Sequence, residues 1–115
     1  MEQDTYYKVG GEGWGLLQAA ELSRLTNFPQ EWHLEYTGGG CTALVLKIDP
    51  KEWAHYFMVT LCDEPSVPKP NEPHHLGEYV NEDQDINHWY FSNRRSMVTF
   101  LRSWKKHQTE IEDTK

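Results

Sequence analysis

The chain has 115 residues with 18 acidic and 11 basic side chains, and this formal net charge of −7 fits one small acidic domain. A protein with this charge balance is not expected to bind nucleic acid directly or to lie on an anionic membrane surface. Hydrophobic residues make up 37% of the sequence and charged residues 25%, which excludes a disordered or collagen-like chain.

The N-terminal part of the sequence predicts a loose arm followed by a short helix. Residues 1–12 are interpreted as the arm, and four glycines fall within residues 10–15. The apolar side chains that then recur at helical spacing are Leu16, Leu17, Ala20 and Leu25. We therefore expect a helix over residues 16–26 that buries these side chains and ends before Pro29.

Side chains with a period of two predict strands after residue 30. The first strand alternates apolar with polar positions, which are Trp32, Leu34 and Tyr36 against Glu31, His33 and Glu35. Further strands are expected over residues 41–48, 53–62, 76–80 and 88–92. The glycines at 38–40 are expected to form the first hairpin turn, because glycine adopts positive φ without strain.

A proline-rich segment interrupts the strands, and the clearest helix closes the chain. Residues 63–75 hold four of the six prolines, so they are expected to form an extended surface loop. A helix is expected over residues 93–112, capped by Asn93 or Ser92. Its apolar arc is Met97, Phe100, Leu101, Trp104 and Ile111. The pattern predicts a single α+β domain. It is expected to contain a five-stranded antiparallel meander, a short N-terminal helix and a C-terminal helix that packs on one face of the sheet.

Aromatic residues are frequent, at 13% of the chain. Those expected in the core are Trp32, Tyr36, Trp53, Phe57, Phe100 and Trp104. The aromatic side chains without an expected partner in this scheme are Tyr6, Tyr7, Trp14, Tyr56 and Tyr79. Exposed aromatic side chains beside acidic groups serve as anchors on protein-binding surfaces.

Acidic side chains concentrate in the first four fifths of the chain. Residues 1–93 carry 15 acidic and 5 basic groups, whereas residues 94–115 carry 3 acidic and 6 basic groups. Like charges crowded on a surface repel one another, and such a surface is suited to meet a basic partner. The residues that we assign to a partner-binding surface are Glu31, His33, Glu35, Asp63, Glu64, Tyr79, Glu82, Asp83 and Asp85.

The histidines suggest an alternative, a metal site. His74, His75 and Glu78 lie at short spacing, and His88 falls on the next strand. The sequence contains no HExxH or CxxC motif, and neighbouring residues on a strand point to opposite faces. We expect surface histidines in the proline loop, with no metal and no cofactor, and keep a small metal-dependent enzyme or metal-binding regulator as the alternative.

Two further features bear on location and partners. Cys41 and Cys62 form no disulfide framework, and the first residues resemble no secretion signal, so we expect a reduced, cytoplasmic protein. The last helix carries a basic outer side, which predicts a solvated surface or, alternatively, a docking site for RNA or an acidic protein. The cations on that side are Arg95, Arg102 and Lys106.

These patterns favour a non-enzymatic binding protein that inhibits a protein partner by covering its site. The partner is expected to carry a basic surface, and the chain to act as a monomer or homodimer without direct nucleic-acid or membrane contact. One setting is a phage or mobile-element inhibitor of the anti-CRISPR or anti-restriction type, whose carboxylates replace nucleic-acid phosphates. The other is an immunity protein that neutralises a toxin.

Overall fold

The computed structural model describes residues 12–38, 41–62 and 66–113 and confirms the predicted α+β fold. Two helices pack on one face of a five-stranded antiparallel sheet whose spatial order is β1-β2-β3-β4-β5, a simple meander. The elements are α1 (Glu12–Thr26), β1 (His33–Gly38), β2 (Cys41–Asp49), β3 (His55–Leu61), β4 (His74–Val80), β5 (Gln84–Phe91) and α2 (Arg94–Asp113). Of the arm predicted over residues 1–12, residues 1–11 lie outside the described part of the chain, and Glu12 is the first residue of α1.

The core lies between one face of the sheet and the two helices. The pairing register places Leu34, Leu44, Val59, Leu76 and Trp89 in one row across the five strands. Leu22 of α1 and two side chains of α2, Met97 and Leu101, are fully buried in the same cluster. Each such side chain stabilises the fold by roughly 1.5–3 kcal/mol through burial. Both helices therefore cover the same sheet face.

Helix α1 begins four residues earlier than expected and buries a different side. Leu16 and Leu17, predicted to be buried, are more than half exposed, whereas Ala19 and Leu22 enter the core. The close approach of α1 to β1 explains this orientation, because a Cβ at Gly15 would lie 2.6 Å from the Cδ1 atom of Leu34. The predicted buried side was therefore wrong.

The chain between α1 and β1 is anchored by one tryptophan. Trp32 is 3% exposed, and its indole N–H donates to the Thr26 hydroxyl over 2.9 Å. Its backbone N–H donates to the Ser23 hydroxyl over 2.8 Å. These two hydrogen bonds satisfy buried polar groups and fix the direction in which the chain leaves the helix.

The segment before β4 ends at Pro73, two residues earlier than the predicted loop. His74 and His75 belong to β4, where they pair with Leu61 and Thr60 of β3. The prediction of surface histidines was wrong for His74, which is fully buried. Its Nε2 atom accepts a hydrogen bond of 3.2 Å from the Nε atom of Arg94, itself 2% exposed.

Helix α2 forms as the sequence predicts. The Asn93 side-chain oxygen accepts a hydrogen bond from the backbone N–H of Ser96, which caps the first turn. Phe100 and Trp104 are partly buried against the core. The cations Arg95, Arg102 and Lys106 are exposed on the outer side of the helix, as expected.

Candidate binding surface on the open face of the sheet

The sheet face opposite the two helices, which we call the open face, carries no helix among the described residues. Its side chains alternate with those of the core along every strand. They include Val45 of β2, Tyr56 and Met58 of β3, His75 and Tyr79 of β4, and His88 and Tyr90 of β5. The open face is thus rich in aromatic and imidazole rings.

A cavity of about 380 Å³ lies at one end of the open face, and we call it the open-face pocket. Its lining residues are Glu35, Tyr36, Thr37, Val45, Trp53, Tyr56, Met58 and Glu82. They come from β1, β2 and β3, from the turn that precedes β3 and from the turn that follows β4. The pocket therefore combines an apolar floor with carboxylates from two distant parts of the sequence.

Two turns are hydrogen-bonded to each other beside this pocket. The backbone N–H of Glu82 donates to the Trp53 carbonyl over 3.0 Å, and that of Asn81 donates to the Ala54 carbonyl over 3.2 Å. The Tyr56 hydroxyl donates to the Glu82 carbonyl over 2.5 Å. The aromatic wall and the Glu82 turn are thus held as one unit.

Both turns contain residues with positive φ, a conformation that side chains other than glycine adopt at a cost. Trp53 has a φ of 59° and Glu82 a φ of 75°, and the residues before them, Glu52 and Asn81, also have positive φ. Such backbone conformations cost on the order of 1–3 kcal/mol each and concentrate at functional sites. Two pocket-lining residues therefore share this uncommon backbone conformation.

The rings of the pocket form a corner that already attracts a cation. The Trp53 and Tyr56 rings meet edge to face, with centroids 5.0 Å apart and planes inclined by 77°. The Lys47 ammonium lies 4.0 Å from the centroid of the Trp53 ring, a distance typical of cation–π attraction. The face of this tryptophan is therefore suited to hold positive charge.

A histidine positions one of the two rim carboxylates. The Nε2 atom of His33 lies 2.6 Å from the Oε2 atom of Glu35, and the His33 ring lies 6.3 Å from that of Trp53. Glu31, expected on the same strand face, precedes β1 and lines a different cavity beside α1. His33 lines that same cavity and contacts Glu35, so of the predicted triplet only Glu35 lines the open-face pocket itself.

Next to the pocket, Tyr79 lies flat across β4. Its ring stacks on that of Tyr56, with centroids 5.2 Å apart and planes inclined by 17°. Gly77 makes room for it, because a Cβ at this position would lie 2.5 Å from the Tyr79 hydroxyl oxygen. Burial raises the pKa of both tyrosines, so their hydroxyls stay neutral.

A chain of hydrogen bonds joins three polar side chains on the β4–β5 half of the open face. His88 Nε2 lies 2.9 Å from Asp85 Oδ2, and His88 Nδ1 lies 2.8 Å from His75 Nε2. With His88 neutral, its Nε2–H donates to the carboxylate, and its Nδ1 accepts from His75. The hydrogen bond from His88 lowers the pKa of Asp85, which keeps this carboxylate ionised.

The structure brings together part of the predicted partner-binding surface. Glu35 and Glu82 line the open-face pocket, and Asp85 lies opposite Tyr79 on the same face. Asp83 is exposed in the turn between β4 and β5. Asp63 and Glu64 lie outside the described residues.

The sequence analysis singled out Tyr56 as an aromatic without a core partner, but it did not place Trp53 or the contact between His75 and His88 on the surface. Tyr36 and Trp53 were expected in the core, but Tyr36 is 61% exposed, and both line the open-face pocket. Tyr56 alternates with the core residue Phe57, a period-two signal that could have placed it on the open face.

The proposed metal ligands are divided between the two faces of the sheet. His74 and Glu78 point to the helix side, where the Glu78 carboxylate is bound by His55 Nε2 at 2.7 Å and by the side-chain amide of Asn87 at 2.9 Å. His75 and His88 point to the open side. Over the described ranges, no three His, Cys, Asp or Glu side chains are grouped so that they could hold a metal ion.

Of the two helices described, neither combines the length and apolar character that crossing a membrane requires. Comparisons with known protein families, with curated protein sequences and with solved structures find no match to this chain.

Proposed function

We propose that this protein is a non-enzymatic inhibitor that binds a basic protein surface with the open face of its sheet. The observation that carries the proposal is the open-face pocket, where the Glu35 and Glu82 carboxylates flank an aromatic corner. Carboxylates with a fixed position attract lysine and arginine, and aromatic rings supply buried contact area. The strip beside the pocket extends this chemistry with Tyr79 and the ionised Asp85.

Occlusion is the mode of inhibition that follows from this surface. A partner that handles nucleic acid exposes lysine and arginine where phosphates bind. Carboxylates that form ion pairs with those lysines and arginines exclude the nucleic acid by direct competition. This chemistry fits an anti-defence inhibitor carried by a phage or mobile element, and the same surface serves an immunity protein whose toxin has a basic active site.

The test is affinity capture from a lysate of the native host, with a charge-matched pair of variants. Glu35→Gln/Glu82→Gln removes two carboxylates from the open-face pocket, whereas Glu31→Gln/Glu72→Gln removes two carboxylates elsewhere. Loss of two desolvated charge contacts is expected to weaken capture about tenfold or more in the first variant only. Capture is measured by mass spectrometry at low and high salt, with and without added duplex DNA.

The outcomes separate the alternatives. A partner that is released by high salt and by duplex DNA, and is lost only in the open-face variant, supports occlusion of a nucleic-acid-handling protein. A captured toxin that duplex DNA does not release assigns the immunity role. Equal capture by both variants removes the open face from the mechanism and contradicts the proposal.

A further inference from the structure

The open-face pocket has the size and chemistry to hold a single side chain. We propose that it binds the guanidinium group of one arginine of the basic partner, an inference that rests on the proposed function of the open face. The cavity of about 380 Å³ lies at the small end of the range for ligand pockets, so it receives one anchor residue from the partner rather than a longer segment.

The floor and walls of the pocket match the two parts of an arginine side chain. Met58, which is partly exposed, and the edge of Tyr56, which is 6% exposed, form an apolar floor for the aliphatic stem, and the fully buried Val45 lies beside Met58 in the strand register. The Trp53 ring stands at 77° to the Tyr56 ring and offers a flat wall. A planar guanidinium stacks on such a wall more favourably than a compact ammonium does.

The rim supplies negative charge that no lysine or arginine of the chain neutralises within the described residues. The Glu35 carboxylate is bound on one oxygen by His33, which leaves its second oxygen for a ligand. Glu82 forms no ion pair with any residue that the structure describes. Guanidinium carries five N–H donors in a fixed plane, which suits it to pair with a carboxylate on this rim.

The contact of Lys47 with Trp53 bears on how strongly the pocket can bind a cation from a partner. The ammonium at 4.0 Å from the ring centroid demonstrates that this tryptophan attracts a cation from its own chain. Lys47 does not line the pocket, so it leaves the cavity open to a second cation. Its charge opposes a bound guanidinium, and removing this charge is expected to strengthen binding about twofold to fivefold.

The experiment uses small cations as probes with the full chain. Two-dimensional ¹H–¹⁵N NMR follows the Trp53 indole and the Val45 and Tyr56 amides during titration with N-acetyl-arginine methylamide. N-acetyl-lysine methylamide and tetramethylammonium chloride are titrated in parallel at equal ionic strength. We expect saturable shifts with the arginine probe, a Kd of about 1–10 mM, and binding at least threefold weaker for the other two cations.

Variants then locate the site. Glu35→Gln/Glu82→Gln is expected to weaken the arginine probe about fivefold, Trp53→Leu about threefold, and Lys47→Gln to strengthen it. The Glu31→Gln/Glu72→Gln control, with the same net charge as the first variant, is expected to bind the probe as the unaltered chain does. Unfolding curves verify that each variant is folded. Because the carboxylate variant and Trp53→Leu alter the pocket independently, the test remains valid if one of them proves unstable.

The results distinguish this inference from the proposed function. Shifts that do not saturate, that are equal for all three cations, or that persist in both pocket variants overturn the arginine site. Tetramethylammonium binding more tightly than the arginine probe overturns it as well, in favour of a methylated amine. A partner captured through Glu35 and Glu82 but indifferent to Trp53→Leu leaves the function standing and overturns the inference alone. If the arginine probe binds saturably but no partner is captured through the open face, the pocket's preference for arginine stands and the proposed function is overturned.

Discussion

His74 and Arg94 form a buried polar contact that ties four parts of the molecule together. The Arg94 guanidinium donates to His74, to the Gln18 side chain of α1 and, over 2.8 Å, to the Pro68 carbonyl. The second ring nitrogen of His74 bonds the Glu72 carbonyl over 2.7 Å. His74 remains neutral in the folded protein, chiefly because burial penalises a charged imidazole and also because the neighbouring Arg94 disfavours a second positive charge.

The protonation of His74 predicts that the fold weakens in mild acid. Burial lowers the pKa of His74 to about 4, whereas the unfolded chain has the ordinary value of 6.5. Between these pH values the unfolded state binds the additional proton, so stability is fully present above pH 6.5 and falls as the pH drops towards 4. The shift corresponds to about 3 kcal/mol.

Urea unfolding at pH 7 and pH 4.5 checks this prediction. His74→Gln keeps an acceptor for Arg94 and removes the titrating ring, so its free energy of unfolding should depend on pH less steeply than that of the unaltered chain, by about 2 kcal/mol over this interval. His75→Gln, on the open face, is the comparison: burial also lowers the pKa of His75, but this ring is less deeply buried than that of His74, so the variant should lose less of the slope than His74→Gln. Identical slopes for the unaltered chain and His74→Gln would show that His74 does not cause the acid sensitivity.

At the scale of elements, the turn between β4 and β5 carries a conflict between stability and binding. Glu82 occupies a left-handed position, with φ at 75°, where glycine is the residue of lowest cost. Glu82→Gly should therefore stabilise the fold by about 0.5–1 kcal/mol after the greater flexibility of glycine in the unfolded chain is counted. It should also weaken partner capture, because it removes a rim carboxylate.

Thermal unfolding of Glu82→Gly and of its neighbour Asp83→Gly tests this conflict. Asp83 lacks positive φ, so its replacement removes the same charge from the same turn without relieving the backbone. We expect the melting temperature to rise by roughly 2–5 °C for Glu82→Gly and to stay or fall for Asp83→Gly. A fall in both would mean that the Glu82 backbone is not costly, and the strained-turn explanation would be wrong.

The same elements show what sequence patterns could and could not predict. Helix α2 and the strands followed from periodicity, because packing against one core imposes periods of 3.6 and 2. Asp85 and His88 were both singled out in the sequence, but the hydrogen bond between them was not predicted, for a physical reason. Ile86 is an extra residue between the pairs Glu78–Asn87 and Tyr79–Asp85, and this β-bulge lets two side chains three positions apart meet on one face.

Trp53 was misplaced because its position depends on a tertiary contact between turns. Its aromatic character and the following β-branched residues predicted a buried strand position. In the structure it lies in a turn with positive φ, hydrogen-bonded through its carbonyl to Glu82, which is distant in sequence. The pocket forms only when these two turns meet, so no local window of sequence contains its signal.

At the scale of the whole molecule, charge is distributed unequally between the two sides. The open face carries Glu35, Glu82 and Asp85, while the outer side of α2 carries Arg95 and Lys106, all exposed or partly exposed. The net charge of −7 attracts a basic partner over distances up to about one Debye length, roughly 8–10 Å at moderate salt. The cations of α2 reduce that attraction without touching the open face.

This asymmetry predicts that Arg95→Gln/Lys106→Gln speeds association with the captured basic partner. Removing two exposed cations makes the net charge more negative, so the association rate at low salt should rise about twofold, and the dissociation rate should stay unchanged. Arg102 is left intact because its Nε atom donates to the Leu25 carbonyl and supports the helix packing. Surface plasmon resonance at several salt concentrations measures both rates. Since α2 and the open face lie on opposite sides of the sheet, faster dissociation in this variant would place the partner on α2 and contradict binding through the open face.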